Sequence, residues 1–202
     1  MASVTFHSPE LMPKTPSEIN VSLQLPGASA DLQAFLAEYQ NESDRACAVL
    51  GAAYIDVKLD ELIRASLTVP DKALAESLSG KNGPLSSFSS RINLSYALGL
   101  ITKSERDDLN LIREVRNAFA HQLHGLTFAS PKVASWSKGL AAPKIFGSKG
   151  PHLQPRHSFI VAIGLLSVYL VNRVRTAKRF PAPSLPMASL PKDTLLATLD
   201  AT

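Results

Sequence analysis

The residue types best suited to chemistry lie close together in the segment 113–121, which reads REVRNAFAH. On an α-helix, at about 100° per residue, Asn117 and His121 are about 40° apart and share a face. Histidine titrates near neutral pH and suits general acid–base work, and arginine suits the charge that develops on a phosphate during cleavage. Arg116 and His121 are about 140° apart on a straight helix. They would converge only if the helix loosens near His121 or if a second subunit supplies the partner residue.

Two interpretations of this cluster are open at the level of sequence. In the first, Arg116, Asn117 and His121 are catalytic residues that act on a phosphate group. In the second, a hydrogen bond between Asn117 and His121 ties the helix end to the core, and the arginines are solvated or paired with acids. A lone polar cluster usually serves the structure, so the spacing favours a protein that is not an enzyme and leaves the catalytic role as the alternative.

Metal and cofactor chemistry lacks its usual residues. The histidines in positions 121–157 have no acidic neighbour, because no Asp or Glu occurs anywhere in residues 115–192, and Cys47 is remote in sequence. A zinc site needs three or four nitrogen, sulfur or oxygen ligands, so we expect no metal. The glycines at 80 and 83 match neither a phosphate-binding loop nor a dinucleotide fingerprint, and no nucleophile elbow is present. We therefore expect no cofactor.

The net charge of +4 hides a strong asymmetry between the two halves of the chain. Residues 1–114 contain 10 basic and 15 acidic residues, whereas residues 115–202 contain 11 basic and 2 acidic residues. A basic half indicates an anionic partner, either a nucleic acid or an acidic protein. The cations expected to contact phosphates are Lys132, Lys138, Lys144, Lys149, Arg156, Arg173, Arg175, Lys178 and Arg179.

Aromatic residues are interleaved with these cations. Phe128, Trp136 and Phe146 would allow stacking on unpaired bases. An equally weighted alternative is a flexible basic loop that aids solubility or contacts acidic helices. No helix-turn-helix pattern stands out, so DNA would be bound through its backbone or through a protein partner. The charge boundary falls within the helix of Arg116 and His121, which predicts that this cluster lies at the edge of the positive region.

Cysteine usage and hydropathy bear on the compartment. A single cysteine cannot form an internal disulfide, and the N-terminal residues lack the pattern of a signal peptide, so we expect a cytoplasmic protein. The most apolar run, residues 159–171, has 13 residues. A membrane-spanning helix needs about 20 apolar residues, so we expect a buried core helix and no membrane partner.

Apolar periodicity predicts an all-α, single-domain bundle of five or six helices. Helical patterns cover 29–39, 45–67, 72–78, 91–100 and 157–178, and a capping box of Thr102 and Glu105 opens another helix that Gly125 is expected to end. We expect a flexible arm at 1–28, the helical domain at 29–180 and a proline-containing tail at 181–202, with a short helix at 194–199. The glycine- and proline-rich segment 126–157 is expected to form a long basic loop within the domain.

Two sequence blocks resemble known families. The motif RNAFAH resembles the R-x4-H signature of HEPN-type helical domains. The longer stretch from Gly83 to His121, GPLSSFSSRINLSYALGLI followed by DDLNLIREVRNAFAH, resembles the mannitol operon repressor family of bacterial proteins. Residues 40–125 share the similarity well, and residues 159–175 share it loosely.

These resemblances carry functional expectations. The repressor family implies a transcriptional regulator acting through DNA or a protein partner, as a homodimer. The HEPN-type signature implies the alternative function, a metal-independent endoribonuclease of a toxin-like kind, in which Arg116 and His121, assisted by Asn117, form an RNA-cleaving site across a dimer.

Overall fold

The computed structural model describes residues 28–68, 71–146 and 153–182 and is all-helical over these ranges. The expected all-α class is confirmed, with seven α-helices where five or six were predicted. They are α1 (Ala30–Tyr39), α2 (Asp44–Ser66), α3 (Lys72–Ser79), α4 (Phe88–Ala97), α5 (Lys103–His121), α6 (Pro131–Gly139) and α7 (Pro155–Thr176), and a 310 helix covers Ala142–Phe146. The predicted helix at 194–199 and almost all of both tails lie outside the described residues.

Side-chain caps start most of these helices within one residue of the predicted position, but α4 begins at Phe88 and ends at Ala97, three residues earlier at each end than the predicted 91–100. Ser29 accepts a hydrogen bond from the backbone N–H of Leu32, and Ser43 and Ser87 cap α2 and α4 in the same way. At α5 the capping box is complete, because Thr102 Oγ1 accepts from the Glu105 N–H while Glu105 accepts from the Thr102 N–H. Each cap satisfies a helix N–H group that has no partner within the helix.

Gly99 ends α4 in a left-handed conformation, with φ of +68°. The N–H of Leu100 donates to the Ser95 carbonyl at 2.8 Å, and the N–H of Gly99 donates to the Tyr96 carbonyl at 3.0 Å. This is the Schellman arrangement, which favours glycine because a Cβ is disfavoured at positive φ. The turn then leads directly into the capping box of α5.

The end of α5 lies four residues before the position predicted from Gly125. The backbone leaves the helix at Gln122, with φ of −90° and ψ of 110°. Arg45 of α2 donates to the carbonyls of Phe119, Gln122 and Leu123, the last two at 2.7 and 2.9 Å. A side chain from another helix therefore satisfies the terminal carbonyls, an arrangement that sequence-local signals do not reveal.

The prediction of one long loop over 126–157 is wrong, because this segment contains α6 and the 310 helix. Val133, Ser137 and Leu140 are buried at helical spacing, and α6 packs against α5 and α7. Pro131 lies in the first turn and Gly139 is the last helical residue, positions that both residue types tolerate. The proline and glycine bracket the helix rather than interrupt it.

Helices α2 and α7 form the centre of the bundle. α2 packs against α7, α5, α4 and α1, and half of the 22 residues of α7 are buried. α7 is long and apolar enough to span a membrane, with a mean hydropathy of 1.5, but 67% of its apolar window is buried inside the fold. Contact with the other helices accounts for this composition. A Cβ on Gly51 would lie 2.4 Å from the Tyr39 hydroxyl, so glycine allows α1 and α7 to approach α2 closely.

Candidate functional site

The cluster Arg116, Asn117 and His121 occupies the last two turns of α5. Arg116 Nη1 donates to Asn117 Oδ1 at 2.9 Å, and both side chains are half-buried. His121, the last helical residue, is exposed. Among the residues the structure describes, His121 makes no hydrogen bond to Asn117, so the expected tie between the two is not observed. The helix stays regular through His121, and Arg116 does not converge with it inside one chain.

The neighbouring arginine, Arg113, has a structural role. Its guanidinium donates to Ser89 Oγ on α4 and to Glu114 Oε1, each at 2.8 Å. The first contact ties α5 to the start of α4. This pairing matches the part of the structural interpretation in which arginines of the segment meet acids or polar groups.

Arg156, one of the nine cations predicted to contact phosphates, is engaged within the chain. Its guanidinium donates to Asp44 Oδ1 at 2.7 Å and to the carbonyls of Gln40 and Glu42. Asp44 also accepts from the N–H of Phe128 at 2.9 Å. One carboxylate thus joins the start of α7, the α1–α2 turn and the segment after α5.

Arg173 is engaged in the same manner at the other end of α7. It donates to Glu105 Oε2 at 2.8 Å and to the Leu100 carbonyl at 3.3 Å. Burial raises the pKa of Glu105, but the hydrogen bonds from Arg173 and Thr102 outweigh it and leave this pKa below its usual value. The ion pair fastens α7 to the α4–α5 turn.

The other predicted cations that the structure describes are exposed, and most of them lie at one end of the bundle. Asp108, in the first turns of α5, accepts from the N–H groups of Ala141 and Ala142, which places the 310 helix beside the start of α5. The Arg173–Glu105 pair places the end of α7 there as well, and the Phe180 N–H donates to the Ser66 carbonyl at the end of α2. We call this surface the basic end: Lys138, Lys144, Arg175, Lys178 and Arg179.

The basic end and the Arg116–His121 cluster lie at opposite ends of α5. Glu105 and His121 are separated by about 24 Å along the helix, at 1.5 Å per residue. Of the predicted cations that are described and exposed, only Lys132, near the start of α6, belongs to the side of the cluster. We expected the Arg116–His121 cluster to lie at the edge of the positive region. That expectation is wrong for the basic end, because α6 and α7 place their exposed cations at the opposite end of α5 from the cluster. Lys149 lies outside the described residues.

The aromatic side chains expected to stack on bases are only partly available. Phe128 is 2% exposed and packs between Phe119 and Phe159, with ring centroids 5.3 and 5.2 Å apart. Its prediction as a stacking residue is wrong, because it is part of the core. Trp136 is half-buried beneath Lys132, whose Nζ lies 4.9 Å from the ring centroid. The Phe146 side chain lies outside the described part.

Asp44 and Asp108 each hold together segments that are distant in sequence, and neither residue was identified from the sequence. Only their positions near helix starts could have indicated them. Asp108 is 3% exposed, and burial raises its pKa while the two N–H donors oppose that rise. Within the described ranges, no group of three or more His, Cys, Asp or Glu side chains could hold a metal ion.

The chain is similar to a known protein family in sequence and to a solved structure in fold. The mannitol repressor (MtlR) family profile matches residues 46–149, and no curated protein matches the chain. A solved structure, the X-ray structure of the MtlR–HPr complex from Escherichia coli, shares the fold with a TM-score of 0.55. It is 17% identical, and the alignment covers 72% of this chain and 99% of that chain. Because the profile spans more than half of the sequence, including the block from Gly83 to His121, the chain belongs to the mannitol repressor family.

Proposed function

We propose that this protein is a regulator of the mannitol repressor type that acts by binding a protein partner, and that HPr is that partner. The supporting observation is the shared fold with an MtlR whose structure was solved in complex with HPr, together with membership of the same family. The proposal places the protein in the cytoplasm and gives it a homodimeric state.

Calorimetric titration with the HPr of the same organism tests this proposal directly. We expect saturable binding with a fixed stoichiometry. As a control, the titration is repeated with the triple variant Arg175→Glu/Lys178→Glu/Arg179→Glu, which reverses exposed charges at the basic end. Binding that persists in this variant does not arise from nonspecific attraction to these charges. Absence of heat and of a mobility shift at the highest soluble concentrations would contradict the HPr assignment.

The basic end supports a second contact, with the phosphate backbone of DNA at a regulated promoter. Exposed Lys and Arg side chains release counterions on binding, so affinity should fall steeply with salt. Fluorescence anisotropy with a DNA duplex at increasing salt should give a shallower salt dependence for the triple Glu variant than for the wild type. Lys132→Glu is the control, because Lys132 is exposed near the start of α6, on the side of the Arg116–His121 cluster and not at the basic end. Identical slopes for all three proteins would remove the basic end from DNA binding, and an acidic protein would then be its expected partner.

A metal-independent endoribonuclease is the second candidate, and one observation favours it. His121 is exposed at the end of α5, on the same helix end as the bonded pair Arg116 and Asn117. RNA cleavage should persist in EDTA and disappear in His121→Ala, whereas His124→Ala, an exposed histidine three residues on, should retain it. Absent cleavage by the wild type, or cleavage unchanged in His121→Ala, rejects this candidate.

A further inference from the structure

The face of α2 that points away from the core is apolar. It carries Val49, Leu50 and Val57, which are 36%, 46% and 55% exposed, and the exposed Ala53 between them. Together with the half-buried Ala46 these residues are the outer stripe, defined as Ala46, Val49, Leu50, Ala53 and Val57. At 1.5 Å per residue the outer stripe is about 16 Å long.

The first half of α2 is apolar on both faces, because the segment 46–55 contains no charged residue. The inner face of α2, from Cys47 to Ser66, is buried against α7, α5, α4 and α1. A helical segment that is apolar all round is normally buried on all sides. None of the helices in the described part of the chain covers the outer stripe.

The spacing within the outer stripe is that of a helix that packs along another helix. Ala46, Leu50, Ala53 and Val57 follow one another at intervals of four, three and four residues. This is the a/d pattern of a two-helix seam, which points to a helical occupant. Alanine at two of the four positions would allow the two backbones to approach closely.

We infer that the outer stripe is a self-association surface, on which α2 of a second copy packs in the antiparallel direction about a two-fold axis at Ala53. Residues equally distant from Ala53 then face each other across the interface, which makes the surface self-complementary, as a two-fold dimer requires. Val49 faces Val57 and Ala53 faces its own copy, so the centre of the interface is apolar, whereas Ala46 faces the carboxylate of Asp60 at the edge.

The charges at the rim decide both the orientation and the kind of occupant. In the antiparallel arrangement Arg64, about 16 Å from Ala53 along the axis, would lie beside the first turn of the partner's α2, and Glu42, two residues before that helix, would supply the opposite charge there. In a parallel arrangement Asp60 would face Asp60 and Arg64 would face Arg64, and like charges in contact are destabilising. Asp60 pairs with Arg64 at 2.6 Å and Glu61 pairs with Lys58 at 2.8 Å, so the rim has little net charge. A strongly charged partner would therefore find no complementary net charge at this surface, whereas the outer stripe of a second α2 is apolar and can pack against it.

The expected dimer is reversible, because specific interfaces bury about 800 Å² per partner and one helix face of this length supplies less. Sedimentation velocity on the full chain at increasing concentration should show a monomer–dimer equilibrium. Leu50→Glu should weaken the dimer about tenfold or more, because it places a charge in a desolvated seam. Leu74→Glu is the matched control, since Leu74 on α3 is also 46% exposed and lies off the stripe.

Two further variants test the geometry rather than the mere presence of a dimer. Ala53→Cys lies on the axis and should form an intermolecular disulfide under mild oxidation, while the wild-type Cys47 is buried and should not. Glu42→Arg and Arg64→Glu should each weaken the dimer, and their combination should restore it. Circular dichroism of each variant confirms that the helical fold is retained.

A chain that is monomeric at every concentration overturns the inference, and assigns the outer stripe to another segment or protein. A dimer that Leu50→Glu and Leu74→Glu affect equally overturns the assigned face but leaves the homodimer in place. The inference rests on the homodimeric part of the proposed function and is independent of HPr, whose binding is measured separately.

Discussion

Polar side chains at single positions connect parts of this protein that are distant in sequence. Asp108 accepts two backbone N–H groups, each at 2.7 Å, and thereby holds the segment after α6 against α5. Asp44 joins Arg156 and the Phe128 N–H, more than 80 residues away. Asp108 is buried, and a buried group that loses its partner bears the full cost of desolvation, so the Asp108 carboxylate is expected to contribute strongly to the local stability. Asp44 is half-buried, so its hydrogen bonds are expected to contribute less.

Asp108→Asn should lower the free energy of unfolding by about 1–3 kcal/mol, because an amide has one acceptor oxygen and its NH2 would face a backbone N–H. Asp107→Asn is the matched control, since Asp107 pairs with Lys103 and Arg106 on the exposed surface. Surface ion pairs contribute about 0–1 kcal/mol, so this neighbour should have little effect. Urea unfolding at neutral pH measures both. If both variants lost the same free energy of unfolding, the Asp108 hydrogen bonds would contribute no more to stability than the surface ion pairs of Asp107.

Cys47 should react slowly with thiol reagents in the folded protein. The side chain is fully buried, and burial raises its pKa to about 11, so the thiolate that reacts is scarce at neutral pH. Alkylation followed by mass spectrometry should be slow in native buffer and fast in urea. Rapid native labelling would mean that the contact between α1 and α2 opens readily.

At the scale of elements, the ends of α5 are secured by arginines from other helices. Arg45 of α2 donates hydrogen bonds to the carbonyls at the C-terminus of α5. Arg173 of α7 pairs with Glu105 in the first turn of α5. The same helix therefore carries the exposed His121 at one end and the attachment of the basic end at the other. Rigid attachment at both ends keeps these two surfaces apart.

The ion pair between Glu105 and Arg173 should make stability depend on pH in the acid range. The pKa of Glu105 is lower in the folded than in the unfolded state, so the pair stabilises the fold above the unfolded value of about 4.3. This contribution is lost as the pH falls through the folded-state pKa. Glu105→Gln should lower the free energy of unfolding by about 1–2 kcal/mol at neutral pH and have a much smaller effect near pH 3. Glu114→Gln is the control, because the Glu114 side chain is 41% exposed whereas that of Glu105 is 14% exposed. A difference between Glu105→Gln and wild type that does not change with pH would contradict the assignment.

At the scale of the whole molecule, α6 is part of the same packed unit as the central helices. It lies against α5 and α7, and the aromatic chain Phe119, Phe128 and Phe159 continues the core beneath it. The segment predicted as a loop is thus built into the bundle, which also determines where the cations of the second half are displayed.

Trp136, the only tryptophan, lies on α6, so its fluorescence reports whether α6 unfolds together with the rest of the bundle. If α6 unfolds together with the core, the transition seen by tryptophan fluorescence should coincide with that seen by circular dichroism, as in a two-state domain. Fluorescence changing at clearly lower urea concentration would mean that α6 detaches first. Val133→Ala, which truncates a buried contact of α6, should shift both transitions together.

The sequence by itself was sufficient for the helical class, the family and most helix starts, because caps and apolar periodicity are local signals. The Thr102–Glu105 capping box and the block from Gly83 to His121 are examples. Only the tertiary structure showed that Arg45 ends α5, that α6 is packed, and that the basic end lies far from His121. These features depend on contacts between residues distant in sequence. Likewise, periodicity predicts an apolar α2, but only the packing of its neighbours determines that Leu50, Ala53 and Val57 face outward.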